Sequence, residues 1–190
     1  MPILKGLAPI AALLLLNAML GFENGSGTPA IRLEPRLAPE FVALWLLLLV
    51  AIRALGAVPK WLVTSLAIVC TFLVIGRYLD VTAPVLFGRA INLYWDVPQL
   101  PRFLSVIGQP LAGWQQLLVA SGVVLVLWGL YRLLRALIEI LARRAAPVAL
   151  RSTPALAATA GAVVLVAAYA VGVPGTRALV SEPVTPTYAR

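Results

Sequence analysis

Five apolar stretches, each about as long as a bilayer is thick, dominate this chain and decide what it can become. A helix needs about 20 mostly apolar residues to cross the hydrocarbon core of a membrane. Residues 3–22, 38–58, 61–79, 114–135 and 153–173 all meet that requirement, and together they take up more than half of the 190 residues. Composition agrees: 62% of the chain is hydrophobic and 12% is charged, whereas a soluble domain carries about 25% charged residues. The expectation is an all-α integral membrane protein. It would have five transmembrane helices, an interfacial outer loop over residues 80–113, and a single polytopic domain across residues 1–190.

Turn residues mark the borders. Gly25, Ser26, Gly27, Thr28 and Pro29 form a loop signal after the first stretch, Gly56 and Pro59 mark a tight turn, and Pro147 and Pro154 bracket the connection before the last stretch. The first stretch ends Asn17-Ala18-Met19-Leu20-Gly21-Phe22-Glu23. That run lacks the small-x-small pattern of a signal-peptide cleavage site, so the stretch reads as a retained span.

Sorting the charges by alternating spans separates two faces. One holds eight cations (Lys5, Arg53, Lys60, Arg132, Arg135, Arg143, Arg144 and Arg151) against the single acid Glu139. The other holds seven cations (Arg32, Arg36, Arg77, Arg89, Arg102, Arg177 and Arg190) against six acids (Glu23, Glu34, Glu40, Asp80, Asp96 and Glu182). Cations are dense in the short connections of the first face, which the positive-inside rule assigns to the cytoplasm. The expected topology has the N-terminus in the cytoplasm and the C-terminus on the opposite side of the membrane. The net charge of +8 is then explained by topology and anionic lipid. No solvated basic domain is present to bind nucleic acid.

Arg132, Arg135, Glu139 and Arg143 recur at spacings of three and four, so they share one face of the fourth helix as it leaves the bilayer. The face is either a solvated helix end with snorkelling arginines or a grip on anionic lipid. Ala157 with Gly161, and Ala158 with Ala162, give the last span a small-x-x-x-small spacing that permits close helix packing.

The segment from Gly76 to Arg102 is too apolar for a free loop and too broken by Pro and Gly for a span. An interfacial or partly re-entrant segment fits it. Tyr78, Phe87, Tyr94 and Trp95 would lie at headgroup depth, where amphipathic rings are favoured, and a re-entrant backbone would need the spans to cover it. Arg77, Asp80, Arg89 and Asp96 alternate in sign, as two ion pairs would, or as a polar pocket in which Arg77 or Arg89 meets a lipid phosphate. The candidates for lipid or partner contact are Arg77, Asp80, Arg89, Asn92, Tyr94, Trp95 and Asp96, with Asn17 and Glu23 from the end of the first span. Asn17 reads first as a helix-to-helix hydrogen bond.

Chemistry is restricted by what is missing. The chain has no histidine and one cysteine, Cys70, which reads as a small apolar packer. It has no nucleophile-elbow, HExxH, P-loop or GxGxxG motif. No cofactor, metal site or catalytic residue is expected from this chain alone. A transporter would show paired inverted halves and ionisable residues at mid-membrane, and neither pattern is present.

The run GRYLDVTAPVLFGRAINLYWDVPQLP at residues 76–101 resembles the outer loop in the N-terminal membrane region of bacterial sulfatase-like proteins. These belong to the alkaline phosphatase superfamily, alongside phosphoethanolamine transferases and lipoteichoic acid synthase. LNAMLGFEN at 16–24, TPAIR at 28–32 and PVTPTYAR at 183–190 extend the resemblance to the other outer segments. It implies a five-helix domain of a bacterial inner membrane, N-terminus cytoplasmic and C-terminus periplasmic, placed before a catalytic domain outside. That catalytic domain uses a metal-bound Thr or Ser nucleophile with Asp, Glu and His ligands, and none of these maps onto this chain. The resemblance therefore implies a non-catalytic membrane domain, anchoring and lipid-headgroup-presenting. Its partners would be membrane lipids and either a missing periplasmic domain or other membrane subunits. The competing expectation is an accessory structural subunit of a photosynthetic or respiratory membrane complex.

Overall fold

The computed structural model describes residues 2–24, 30–89 and 92–184. The loop signal at residues 25–29, the run after Val184 and the side chain of Lys5 lie outside the described residues. Apart from one two-residue β pair, every regular element is helical.

Helix α1 (Pro2–Gly21) runs into strand β1 (Glu23–Asn24), which pairs antiparallel with β2 (Ile31–Arg32). Helix α2 (Pro39–Leu55) opens on a proline, whose fixed φ suits a first helical residue. It closes on Gly56, whose φ of 75° lets its N–H reach the carbonyl of Ile52. Pro59 then caps α3 (Lys60–Phe87), so the turn at Gly56 and Pro59 falls where their chemistry puts it.

Helix α3 does not stop near residue 79. It continues through Asp80 and Pro84 to end at Gly88, so the first part of the segment read as a loop is helical. A proline removes one ladder hydrogen bond and crowds one carbonyl, and the apolar run around Pro84 bears that cost. Beyond it come α4 (Leu93–Asp96), a 3₁₀ turn (Val97–Gln99) and α5 (Leu100–Gly108). No described side chain from 94 to 106 is buried. The spans do not cover this segment, as a re-entrant backbone would require; it is a chain of short surface helices.

Helix α6 (Gly113–Ile140) passes through a π turn (Leu141–Ala145) directly into α7 (Ala146–Arg151). The helix is continuous for 39 residues, so Pro147, read as a boundary, sits inside it. In a regular α-helix the Pro147 ring would strike the carbonyl four residues earlier. The wider π turn just before it opens that space. Helix α8 (Thr153–Val171) and a 3₁₀ turn (Thr176–Ala178) complete the fold.

The core lies where α1, α2, α3 and the second half of α6 meet. Leu16 and Leu20, Leu48, Ala67 and Cys70, and Leu134, Ile138 and Leu141 are all at most 2% exposed. Helix α8 contributes no buried residue. Trp45 on α2 donates its indole N–H to Thr159 on α8 at 3.2 Å. The small residues of α8 do not pack close: Ala158 and Ala162 border an apolar groove of about 840 Å³ against α1 and α2, and Gly161 faces open space.

Among the described residues, three helices are long and apolar enough to cross a membrane: α3, the continuous α6–α7 helix, and α8. The other two have shorter described apolar runs. Helix α2 is trimmed to 17 residues by Pro39 and Gly56, about 26 Å of rise, and the apolar described part of α1 is Leu7–Gly21.

Candidate functional site

Four chain segments converge at one end of the bundle. They are the end of α1 with β1, the approach to α2, the last three turns of α3, and the segment after α8. Backbone bonds tie the last of these down. Leu37 donates to the carbonyl of Leu179 at 2.9 Å, Ser181 donates to Leu37 at 3.1 Å, and Leu37 and Val180 form a parallel bridge. A Glu40 carboxylate oxygen accepts the N–H of Val184.

Arg77 is the hub. It projects inward from α3, is 2% exposed, and uses every guanidinium nitrogen. Its Nε donates to the carbonyl of Phe22 at 2.7 Å, Nη1 donates to the carbonyl of Glu182 at 2.8 Å, and Nη2 lies 3.5 Å from Glu23 Oε1. That same Glu23 oxygen accepts from Arg36 Nη1 at 2.9 Å, and Arg36 Nε reaches Glu34 at 3.0 Å. Burying a guanidinium is costly unless its donors are satisfied; here two remote carbonyls and a carboxylate satisfy them.

A cavity of about 650 Å³ opens beside this network, with Asp80, Tyr169, Arg177 and Glu182 on its walls. Asp80 is half-buried there, and its side chain makes no hydrogen bond or ion pair among the described residues. Its pairing with Arg77, suggested by sequence proximity, is not made. Both residues lie on α3, and Arg77 turns into the bundle toward Glu23 instead. Asn24 donates to the carbonyl of Val81, holding β1 against α3. Asn17 bridges α1 to the start of α2. Its amide NH₂ donates to Arg36 O at 2.7 Å, and its Oδ1 accepts the N–H of Ala38 at 2.9 Å.

The remaining sequence candidates form a separate group on the surface. Arg89 grips Asp96 bidentately at 2.6 and 3.0 Å. Asp96 also accepts the N–H of Asn92 at 2.8 Å, and Asn92 Oδ1 accepts the N–H of Tyr94 at 3.0 Å, which caps α4. Tyr94 and Trp95 stack edge to face at 4.9 Å and are both exposed. The structure thus divides the candidates into a buried clamp (Asn17, Glu23, Arg77, with Asp80 beside it) and an exposed aromatic turn (Arg89, Asn92, Tyr94, Trp95, Asp96). Among the described residues, no group of three or more His, Cys, Asp or Glu side chains could hold a metal ion.

The hydrogen bond from Arg89, then that from Asn92, holds the Asp96 carboxyl below the ordinary aspartate range. A lowered folded value means that the pair is fully formed above the ordinary pKa and is lost only as pH falls through the lowered one. Hydrogen-exchange protection of Leu93–Gly108, corrected for intrinsic rates, should therefore hold from neutral pH down to about 5. Asp96→Ala should lose it at every pH in that window. Unchanged protection in the variant would show that the pair does not order the turn.

The charge pattern sorts Glu40, Glu182 and Arg177 to this face, but does not mark them as neighbours of the Arg77 network. Their positions depend on the return of the chain after α8. No family model, no curated protein and no solved structure matches this chain.

Proposed function

We propose that this chain is a non-catalytic membrane-anchoring module that holds the segment after α8 in fixed register and presents it, with the adjoining cavity, to a catalytic domain or partner outside the membrane. The observation that carries this reading is the Arg77 clamp. A buried arginine spends its donors on the carbonyls of Phe22 and Glu182, so the exit of the last helix is fastened to the first and third. An anchor needs that rigidity at the point where it meets whatever it anchors. In this reading α1 and α2 complete a five-span bundle in a bacterial inner membrane, and the Arg77 end is periplasmic. The cation density at the opposite end, on Arg53, Lys60, Arg132, Arg135, Arg143, Arg144 and Arg151, supports that orientation. The resemblance to sulfatase-like membrane regions supports an enzyme of that class as the presented domain, with Arg177 and Asp80 at the mouth of the cavity as headgroup contacts.

A second reading, an accessory subunit of a membrane complex, is favoured by the first half of α6. No residue of that helix is buried before Leu134, and Trp114, Leu117 and Val126 are all more than 60% exposed. A neighbouring subunit would cover such a helix as well as lipid does.

Intact mass of the natively expressed protein, with identification of what co-purifies, separates the two. A polypeptide extending beyond Arg190 into a domain with a Thr or Ser nucleophile and Asp and His ligands is the expected result. A chain of this size alone, in fixed stoichiometry with other membrane subunits, would replace the first reading with the second.

A further inference from the structure

A second polar cavity, of about 610 Å³, lies at the opposite end of the bundle, remote from the clamp. Four cations line it: Lys60 at the start of α3, Arg135 on α6, Arg143 in the π turn and Arg151 at the end of α7. Glu139 is the one acid on its wall, and it already pairs with Arg143 at 2.5 Å. Arg135 donates to the Tyr131 hydroxyl on its own helix at 3.2 Å. Among the described residues, Lys60 and Arg151 have no acidic partner within 4.0 Å.

The π turn is what gathers these charges. Arg135 and Arg151 are sixteen residues apart, which in a regular α-helix sets them about 160° apart, on nearly opposite faces. A π turn holds one residue more than an α turn and so takes back about 100° of that rotation. Its i→i+5 bond, from the N–H of Ala146 to the carbonyl of Leu141, sits between the two arginines. Arg151 is thereby returned to the wall that carries Arg135 and Glu139. The N-terminus of α3 adds its positive dipole end at Lys60. The remaining wall is apolar, from Ile52, Val63 and Leu150.

We propose that this cavity binds the phosphate group of an anionic phospholipid. Guanidinium forks suit phosphate oxygens, the excess of cations gives the site its sign, and the apolar wall offers the acyl chains a surface continuous with the headgroup site. A soluble phosphate would use the cations and leave that wall uncovered. The site stands at the end opposite the Arg77 clamp, so its test is independent of the presentation reading.

The full chain in neutral detergent, offered equal amounts of phosphatidylglycerol and phosphatidylcholine, should retain phosphatidylglycerol preferentially by native mass spectrometry. Lys60 and Arg151 are both exposed, so replacing them leaves the core intact. Lys60→Gln with Arg151→Gln should weaken phosphatidylglycerol binding about 25-fold, about 5-fold for each cation. Arg32→Gln with Arg102→Gln, which removes equal charge elsewhere, should leave it unchanged. Millimolar inorganic phosphate should not displace the lipid. Equal retention of the two lipids, or equal losses in the two double variants, would overturn the site. Displacement by inorganic phosphate would overturn its assignment to lipid.

Discussion

Replacing Arg77 with Ala should lower the stability of the fold by about 3–5 kcal/mol, the range found when one partner of a buried charged network is removed. The side chain is 2% exposed, so water cannot take over its contacts. The carbonyls of Phe22 and Glu182 lose their donors, and Glu23 keeps only Arg36. Arg77→Met fills similar space and should recover little, because a thioether donates nothing to either carbonyl. Arg77→Lys keeps the charge but cannot span both carbonyls and the carboxylate, and should fall between. Unfolding in mixed micelles with rising SDS fraction measures the loss. Limited proteolysis gives a local readout, since the segment from Leu179 to Val184 should become cleavable in the variants first. A loss below about 1 kcal/mol in Arg77→Ala would mean that the clamp is decorative, and the anchoring function proposed above would lose its carrying observation.

The second large effect is expected at Asn17. Asn17→Leu should cost about 2–3 kcal/mol by the same measurement. Leucine keeps the branched heavy-atom skeleton of asparagine but has no donor or acceptor, so both hydrogen bonds are lost. Asn17 satisfies the carbonyl of Arg36 and the N–H of Ala38, two backbone groups just ahead of α2, and leaving a part-buried backbone group unpaired costs about 1–3 kcal/mol. Exchange protection should fall first at Leu37 and Ala38, where α2 begins and where the bridge to Val180 forms. Loss spread evenly over the bundle would instead point to a packing role.

Much of the fold was legible in local chemistry. Gly56 and Pro59 are a turn because one favours positive φ and the other cannot continue a helical ladder, and both statements hold without tertiary context. Cys70 has the 2% exposure that its apolar neighbours imply. Two helix boundaries were not legible, because Pro was read as a stop where the backbone absorbed it. Pro84 lies inside α3, and Pro147 follows a π turn that makes room for it. The π turn also explains why the charged face of α6 could be traced as far as Arg143 and no farther: a period of 3.6 predicts the wrong face for Arg151. The sequence marks Arg77 as a candidate lipid or partner contact, and the partners it has inside the fold are hidden from that reading. Two of the three are backbone carbonyls, 55 and 105 positions away in the chain, and a carbonyl carries no residue-type signal. Nearest-neighbour charge logic offered Asp80 instead.

The distance from Arg77 to Glu182 along the chain has a consequence for biosynthesis. A ribosome releases Phe22 and Glu23 before Arg77, so the partners for two of the three anchoring contacts are already present when α3 is complete. The third arrives about a hundred residues later, after α8. Until then one guanidinium nitrogen, Nη1, has only water to donate to, and the nascent bundle stays open there. Closure of the network therefore marks completion: a polypeptide arrested before Leu179 leaves Nη1 of Arg77 without its carbonyl and both backbone groups of Leu37 without the partners that the last segment brings.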